Sequence, residues 1–150
     1  RINQKGRLKM FDKILVPVDL STEETTKRLC VAANDMAGKY GAEVRLMTIV
    51  PDYGMPLVAS YFPADAQEKL KAEMKKKLAD LANTYFSVPV KIRLAQGKRR
   101  QAILQEIEEY KPELVMMGCR RKRSRRNQRL LGATGTAVTD RASCCVMVVR

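Results

Sequence analysis

The chain of 150 residues has the length of one domain, a formal net charge of +13 and no histidine. Without imidazole there is no Ser-His or Cys-His nucleophile pair, no histidine general base and no H-I-G-H adenylyl transfer. Its four cysteines, Cys30, Cys119, Cys144 and Cys145, form no C-x-x-C pair, which argues against zinc and a disulfide framework and fits a reducing cytosol.

No apolar run approaches the roughly 20 residues a membrane-spanning helix needs, and the expected location is cytoplasmic. Residues 1–9 are polar and basic, carrying Arg1, Lys5, Arg7 and Lys9. They are read as an artificial leader or disordered extension ahead of one domain over 10–150. A second block of charge is the run Arg120 to Arg126, in which only Ser124 is uncharged. The basic character is therefore concentrated and calls for a local explanation.

Lys13 to Val18 is a short apolar run, as a strand covered on both faces requires. Ser21, with Glu24 three residues on, reads as a capping box. The helix it opens runs to about Tyr40, with Leu29, Ala33, Met36 and Tyr40 on one face, and Gly41 ends it. Glu43 to Val50 reads as a second strand, and 51–63 as a loop punctuated by Pro and Gly. A long amphipathic helix follows over about 64–85, with Leu70, Met74, Leu78, Leu81 and Tyr85 at helical spacing. The alternation Val90, Ile92, Leu94 suits a half-exposed edge strand over 88–94. Gly97 turns the chain into a helix over about 98–110, with Ile103 and Ile107 inward. Leu114 to Gly118 is a fourth, buried strand. A basic loop leads to Gly132, which opens a short helix to about Ala142, and Cys145 to Val149 closes the chain as a fifth strand. This alternation implies an α/β protein: an open parallel sheet with helices on both faces.

In such sheets ligands bind beyond the carboxyl ends of the strands, where strand order reverses. Three features would meet there. Pro17-Val18-Asp19 puts a proline where a strand ladder stops and an acid beyond it; Asp19 either accepts hydrogen bonds from a ribose or base, or serves with Ser21 only to cap the next helix. Gly97-Lys98-Arg99-Arg100 puts basic residues at a helix start, with Lys98 as a phosphate contact or as part of a solvated turn. Gly118 ends a buried strand, and Gly132-Ala133-Thr134 begins a helix whose N–H groups suit a phosphate. No Walker loop is present, because no G-K-[ST] follows.

The segments I-L-V-P-V-D at 14–19, M-M-G ending at 118, R-L-L-G at 129–132 and C-V-M-V-V-R at 145–150, in this order, resemble the universal stress protein family over nearly all of 10–150. The resemblance implies a five-stranded parallel sheet of order 3-2-1-4-5, Rossmann-like in kind, and an ATP site built on G-2x-G-9x-G-[ST]. Carried over, Pro17, Val18 and Asp19 line the adenosine pocket with Ile49 and Val50, Met117 and Gly118 back the ligand, and Gly132, Ala133 and Thr134 hold phosphates. Three departures stand out: Arg121 occupies the second glycine position, 13 residues rather than twelve separate Gly118 from Gly132, and Ala133 replaces Ser or Thr. The loop is closer to that of the enterobacterial small members, which also lack the middle glycine. Arg121 and Lys122 can substitute charge-assisted contacts for lost backbone ones.

The expected activity is adenine-nucleotide binding, with ATP as ligand, alone or with Mg2+, in a stress-response or signalling protein that acts by changing state or partner. The protein partner itself is not legible. One alternative is a weak ATPase or autophosphorylating enzyme, although no residue stands out as a catalytic base. Another is a polyanion- or nucleic-acid-binding module through 120–126, which the lack of interleaved aromatics disfavours. The basic run can also be a solvated loop, and Cys119 within it a redox-sensitive thiol or an inert one. The resemblance further implies a homodimer through the final strand, Cys145 to Val149, whose apolar edge would pair across a two-fold axis.

Overall fold

The computed structural model describes residues 10–51, 64–119 and 131–150. Apolar strands need cover on both faces. Among the described residues the chain provides it by alternating five strands with four helices: β1 (Lys13–Pro17), α1 (Glu23–Tyr40), β2 (Glu43–Val50), α2 (Ala64–Tyr85), β3 (Val90–Gln96), α3 (Arg99–Tyr110), β4 (Leu114–Gly118), α4 (Ala133–Arg141) and β5 (Cys145–Val149). The strands pair in parallel in the order β3-β2-β1-β4-β5, which is the expected architecture.

Strand side chains alternate between faces with period two, so the sheet divides the interior into two cores. Ile14, Val16, Val44, Leu46, Leu114 and Met116 point to the side covered by α1 and α2, where they meet Leu29, Cys30, Ala33 and Leu78. Leu15, Met47, Val115 and Met117 point the other way, against Ile103 and Ile107 of α3 and Val138 of α4. Leu78 is wholly buried, and its burial contributes about 1.5–3 kcal/mol.

On the β3 side the sheet is less apolar, with Lys91 and Arg93 in the strand, and polar groups complete the packing. Glu106 of α3 is 2% exposed and lies between Arg45 of β2 (Nη1 to Oε1, 2.6 Å) and Arg93 of β3 (Nε to Oε2, 3.1 Å). The Arg45 guanidinium also lies 3.8 Å from the centre of the Tyr110 ring, and the Tyr110 hydroxyl donates to Glu43 at 2.9 Å. This network ties α3 to the edge of the sheet.

One expected detail is corrected. Ser21 does not cap α1. Thr22 occupies the cap position, and no side chain caps the first turn. The Ser21 hydroxyl donates instead to Asp19 Oδ1 at 2.6 Å. Ser21 lies one residue ahead of the cap position, and its hydroxyl bond to a carboxylate, roughly twice as strong as a neutral one, ties it to Asp19. The helix stops as expected on Gly41, in the left-handed conformation (φ 61°, ψ 38°) with its N–H on Ala37 O.

Candidate functional site: a cleft at the carboxyl edge of the sheet

Strand order reverses between β1 and β4, and the two strands separate there. Their register holds only Ile14 with Leu114 and Leu15 with Val115, whereas β4 and β5 stay paired as far as Gly118 with Val149. Pro17 explains the difference. The Val18 N–H donates to Met47 O of β2 at 2.8 Å, so by alternation the Pro17 nitrogen faces β4 and has no hydrogen to give. The ladder between β1 and β4 stops, and a cleft of about 1010 Å³ opens beyond it, at the upper end of ligand-pocket volumes.

Pro17, Val18, Asp19, Ile49, Met117, Gly118, Gly132, Ala133 and Thr134 all line this cleft. Val50 does not; it borders a separate shallow depression with Glu68, Lys71 and Leu94. The reason is the strand period, which turns Ile49 to the side of α3 and Val50 to that of α2. Lys98 precedes α3 outside the cleft lining, while Arg99 and Arg100 are part of it. Arg121 and Lys122, and with them the 120–126 run, lie outside the described residues.

Asp19 is held on all sides. Its Oδ1 accepts from the Ser21 N–H at 3.0 Å and from the Ser21 hydroxyl at 2.6 Å, and its Oδ2 accepts from Arg99 Nη1 at 2.9 Å. Its main-chain carbonyl accepts from the Thr22 N–H at 3.0 Å and from the hydroxyls of Thr22 and Thr26, each at 2.9 Å. The Thr48 hydroxyl donates to Val18 O at 3.0 Å in the interior. Thr22 at the cap of α1, Thr26 within it and Thr48 of β2 thus fix the backbone that presents the acid. Of these, only Thr26 had a visible signal: it lies on the buried stripe of α1 with Leu29, Cys30 and Ala33, where a hydroxyl needs a partner.

The two glycines of the cleft differ in kind. A Cβ on Gly118 would lie 2.6 Å from Thr25 Cγ2, so α1 itself requires the glycine. A Cβ on Gly132 would meet no heavy atom within 4 Å, and its φ of −67° and ψ of 169° suit any residue. Among the described residues nothing in the packing requires glycine at 132, and its small size leaves room above the start of α4. The ladder of α4 opens with Thr136 N–H to Gly132 O at 2.9 Å, which puts the N–H groups of 133–135 ahead of it at the cleft. The cleft thus combines apolar walls, the acids Asp19 and Asp140, the bases Arg99, Arg100 and Arg141, and the N-terminal ends of α1, α3 and α4. An elongated ligand with an apolar ring, hydroxyls and anionic groups matches that distribution. Among the described residues no cluster of three or more acids or cysteines could hold a metal ion, and no helix is long and apolar enough to cross a membrane.

Residues 10–150 match the family model of the universal stress protein family, and the chain belongs to that family. Solved structures of the same fold include the universal stress protein UspA from Lactobacillus plantarum, with a TM-score of 0.70 at 22% identity over 96% of this chain and 100% of that one. A universal stress protein from Archaeoglobus fulgidus, solved in complex with dAMP, gives 0.66 at 15% identity over 94% and 99%. A family protein from Arabidopsis thaliana with AMP bound gives 0.59 at 15% identity over 92% and 90%.

Proposed function

We propose that the cleft binds an adenine nucleotide, with ATP as the expected ligand, and that the protein acts in stress response or signalling by changing its state or partner when the ligand is bound. The observation that carries this reading is the pairing of Asp19 on one wall with the start of α4 at Gly132 on the other, across the gap between β1 and β4. Asp19 would accept from ribose hydroxyls, Ile49 and Met117 would flank the ring, and the N–H groups of Ala133 and Thr134 would take phosphate, assisted by Arg121 and Lys122. AMP and dAMP in the related structures support an adenine ligand. Mg2+ would enter with the phosphates, as their counter-ion.

Turnover is proposed to be very slow. The chain lacks histidine, and the Asp19 carboxylate is engaged by Ser21 and Arg99. A rate near the roughly 10 per second of ordinary enzymes would contradict this.

Calorimetry with ATP and AMP tests the reading. Binding in the micromolar range is expected, and no heat and no thermal shift at millimolar ATP would sink it. Asp19→Ala should weaken binding by about 1–3 kcal/mol through loss of hydrogen bonds to a charged acceptor. Mass spectrometry of ligand released from protein purified without added nucleotide would identify the natural occupant.

A further inference from the structure

Building on the adenine-nucleotide reading, we propose that Arg99 makes this site select phosphorylated over unphosphorylated ligands: it neutralises Asp19 in the empty cleft and pairs with the ligand's phosphates in the filled one. Arg99 heads α3 and reaches Asp19, at the end of β1, with Nη1 to Oδ2 at 2.9 Å. The two oxygens of Asp19 are not equivalent. Oδ1 is bound by the backbone and hydroxyl of Ser21, two residues away, whereas Arg99 on Oδ2 comes from 80 residues further along the chain. Oδ2 is therefore the side that can exchange partners when a sugar hydroxyl arrives.

The pair has little reason to exist for stability. Arg99 is 57% exposed, and exposed ion pairs contribute little. Its position is also unfavourable in the absence of an anion. The first turn of α3 contains no acid and holds Arg99 and Arg100 after Lys98, whereas α1 begins with Glu23 and Glu24 and α2 with Asp65. Cations at a helix N-terminus oppose its dipole. Asp19 relieves part of that conflict, and a phosphate group would relieve it more fully. A guanidinium has five N–H donors in a planar fork that matches phosphate, and Arg99 and Arg100 line the same cleft as the start of α4. Arg99 also offsets part of the repulsion between the Asp19 carboxylate and a polyanion.

The test is calorimetry of adenosine, AMP, ATP and inorganic tripolyphosphate on the wild type, Arg99→Gln and Arg99→Lys, with thermal unfolding as the check that each variant is folded. The wild type should prefer ATP to adenosine by roughly tenfold or more, the scale of one charge-assisted bond. Arg99→Gln should weaken ATP and tripolyphosphate by about the same factor and leave adenosine within about twofold, while Arg99→Lys retains most of the preference. A parallel fall for adenosine and ATP would reduce Arg99 to a positioning residue for Asp19 and overturn the proposal, as would no change for any ligand. Tripolyphosphate bound in an Arg99-dependent way, with no binding of adenosine, would sink the adenine reading and leave this one standing. Adenosine and ATP bound regardless of Arg99 would do the reverse, and no binding of any probe would sink both.

Discussion

The Cβ that Gly118 lacks would lie 2.6 Å from Cγ2 of Thr25. Helix α1 is therefore seated directly on the end of β4, and the same residue that borders the cleft is a packing constraint. Thr25 has two χ1 rotamers open to it in a helix, so an added methyl must change its rotamer or shift α1. Gly118→Ala should lower stability by about 1–3 kcal/mol, the usual cost of overpacking, as a fall in the unfolding midpoint with or without nucleotide.

Gly132→Ala should behave in the opposite way. Open space surrounds the position, so stability should stay within about 0.5 kcal/mol. Nucleotide affinity should fall, because the added methyl stands where phosphate would approach the N–H groups of 133–135. Equal affinity in the variant would move the phosphates away from α4.

The Glu106 network gives a third expectation. Removing one partner of a buried pair costs about 3–5 kcal/mol. Here the acid is buried but Arg93 is 47% exposed, so water can replace part of what is lost. Glu106→Ala should cost about 1–3 kcal/mol in denaturant unfolding. A change below about 0.5 kcal/mol would mean that α3 is held by its other buried side chains, Ala102, Ile103, Ile107 and Tyr110, without help from the ion pairs.

Alkaline pH should expose the buried thiol. Burial pushes Cys30 up from 9.0 to about 12. Burial, then the hydrogen bond to Glu43, raises Tyr110 as well. A group whose folded pKa is raised contributes stability that is full below its unfolded pKa and lost as pH rises through the folded one. For Cys30 that window runs from about 9 to about 12. The unfolding midpoint should fall across it, and less steeply in Cys30→Ala. Cys145, exposed, should react with a thiol reagent in the folded state, and Cys30 should react only on unfolding.

Self-association through β5 is proposed on its place at the sheet edge, with Val146, Met147, Val148 and Val149 apolar and only half-buried. Such an edge invites pairing with a second copy. Val148→Lys should shift sedimentation toward monomer. A wild type that is monomeric at tens of micromolar would refute the interface, and a dimer that survives Val146→Lys and Val148→Lys would place it elsewhere.

The strands and helices were legible because burial writes itself into the sequence: unbroken apolar runs for β1 and β4, period two for β3, helical spacing for Leu70 to Leu81. The Pro17–Asp19 turn was legible because proline has one consequence in a ladder. What escaped depended on contacts between distant segments. Ser21 has the residue type of a cap, but the helix starts one residue later, after Thr22, and Thr22 and Thr48 carry no local mark of their role. Arg99 and Lys98 are equivalent as text; only the start of α3 sends Arg99 toward Asp19. Val50 was carried into the site by resemblance, although the strand period places it under α2.

β1 sits at the centre of the sheet, yet it is the first strand of the chain, and its neighbour β4 comes nearly last. The bonds from the Asp12 and Lys13 N–H groups to Glu113 span 101 and 100 residues. As the chain is made from its N-terminus, β1 can pair with β2 early, but its other edge must wait until β4, which begins at Leu114, has been made. Pairings of such long range are slow to close, and an unpaired apolar strand is a hazard while it waits. The cleft between β1 and β4 is therefore among the last parts of the molecule to take shape, so a nucleotide that binds there should act late in folding, on a nearly finished sheet.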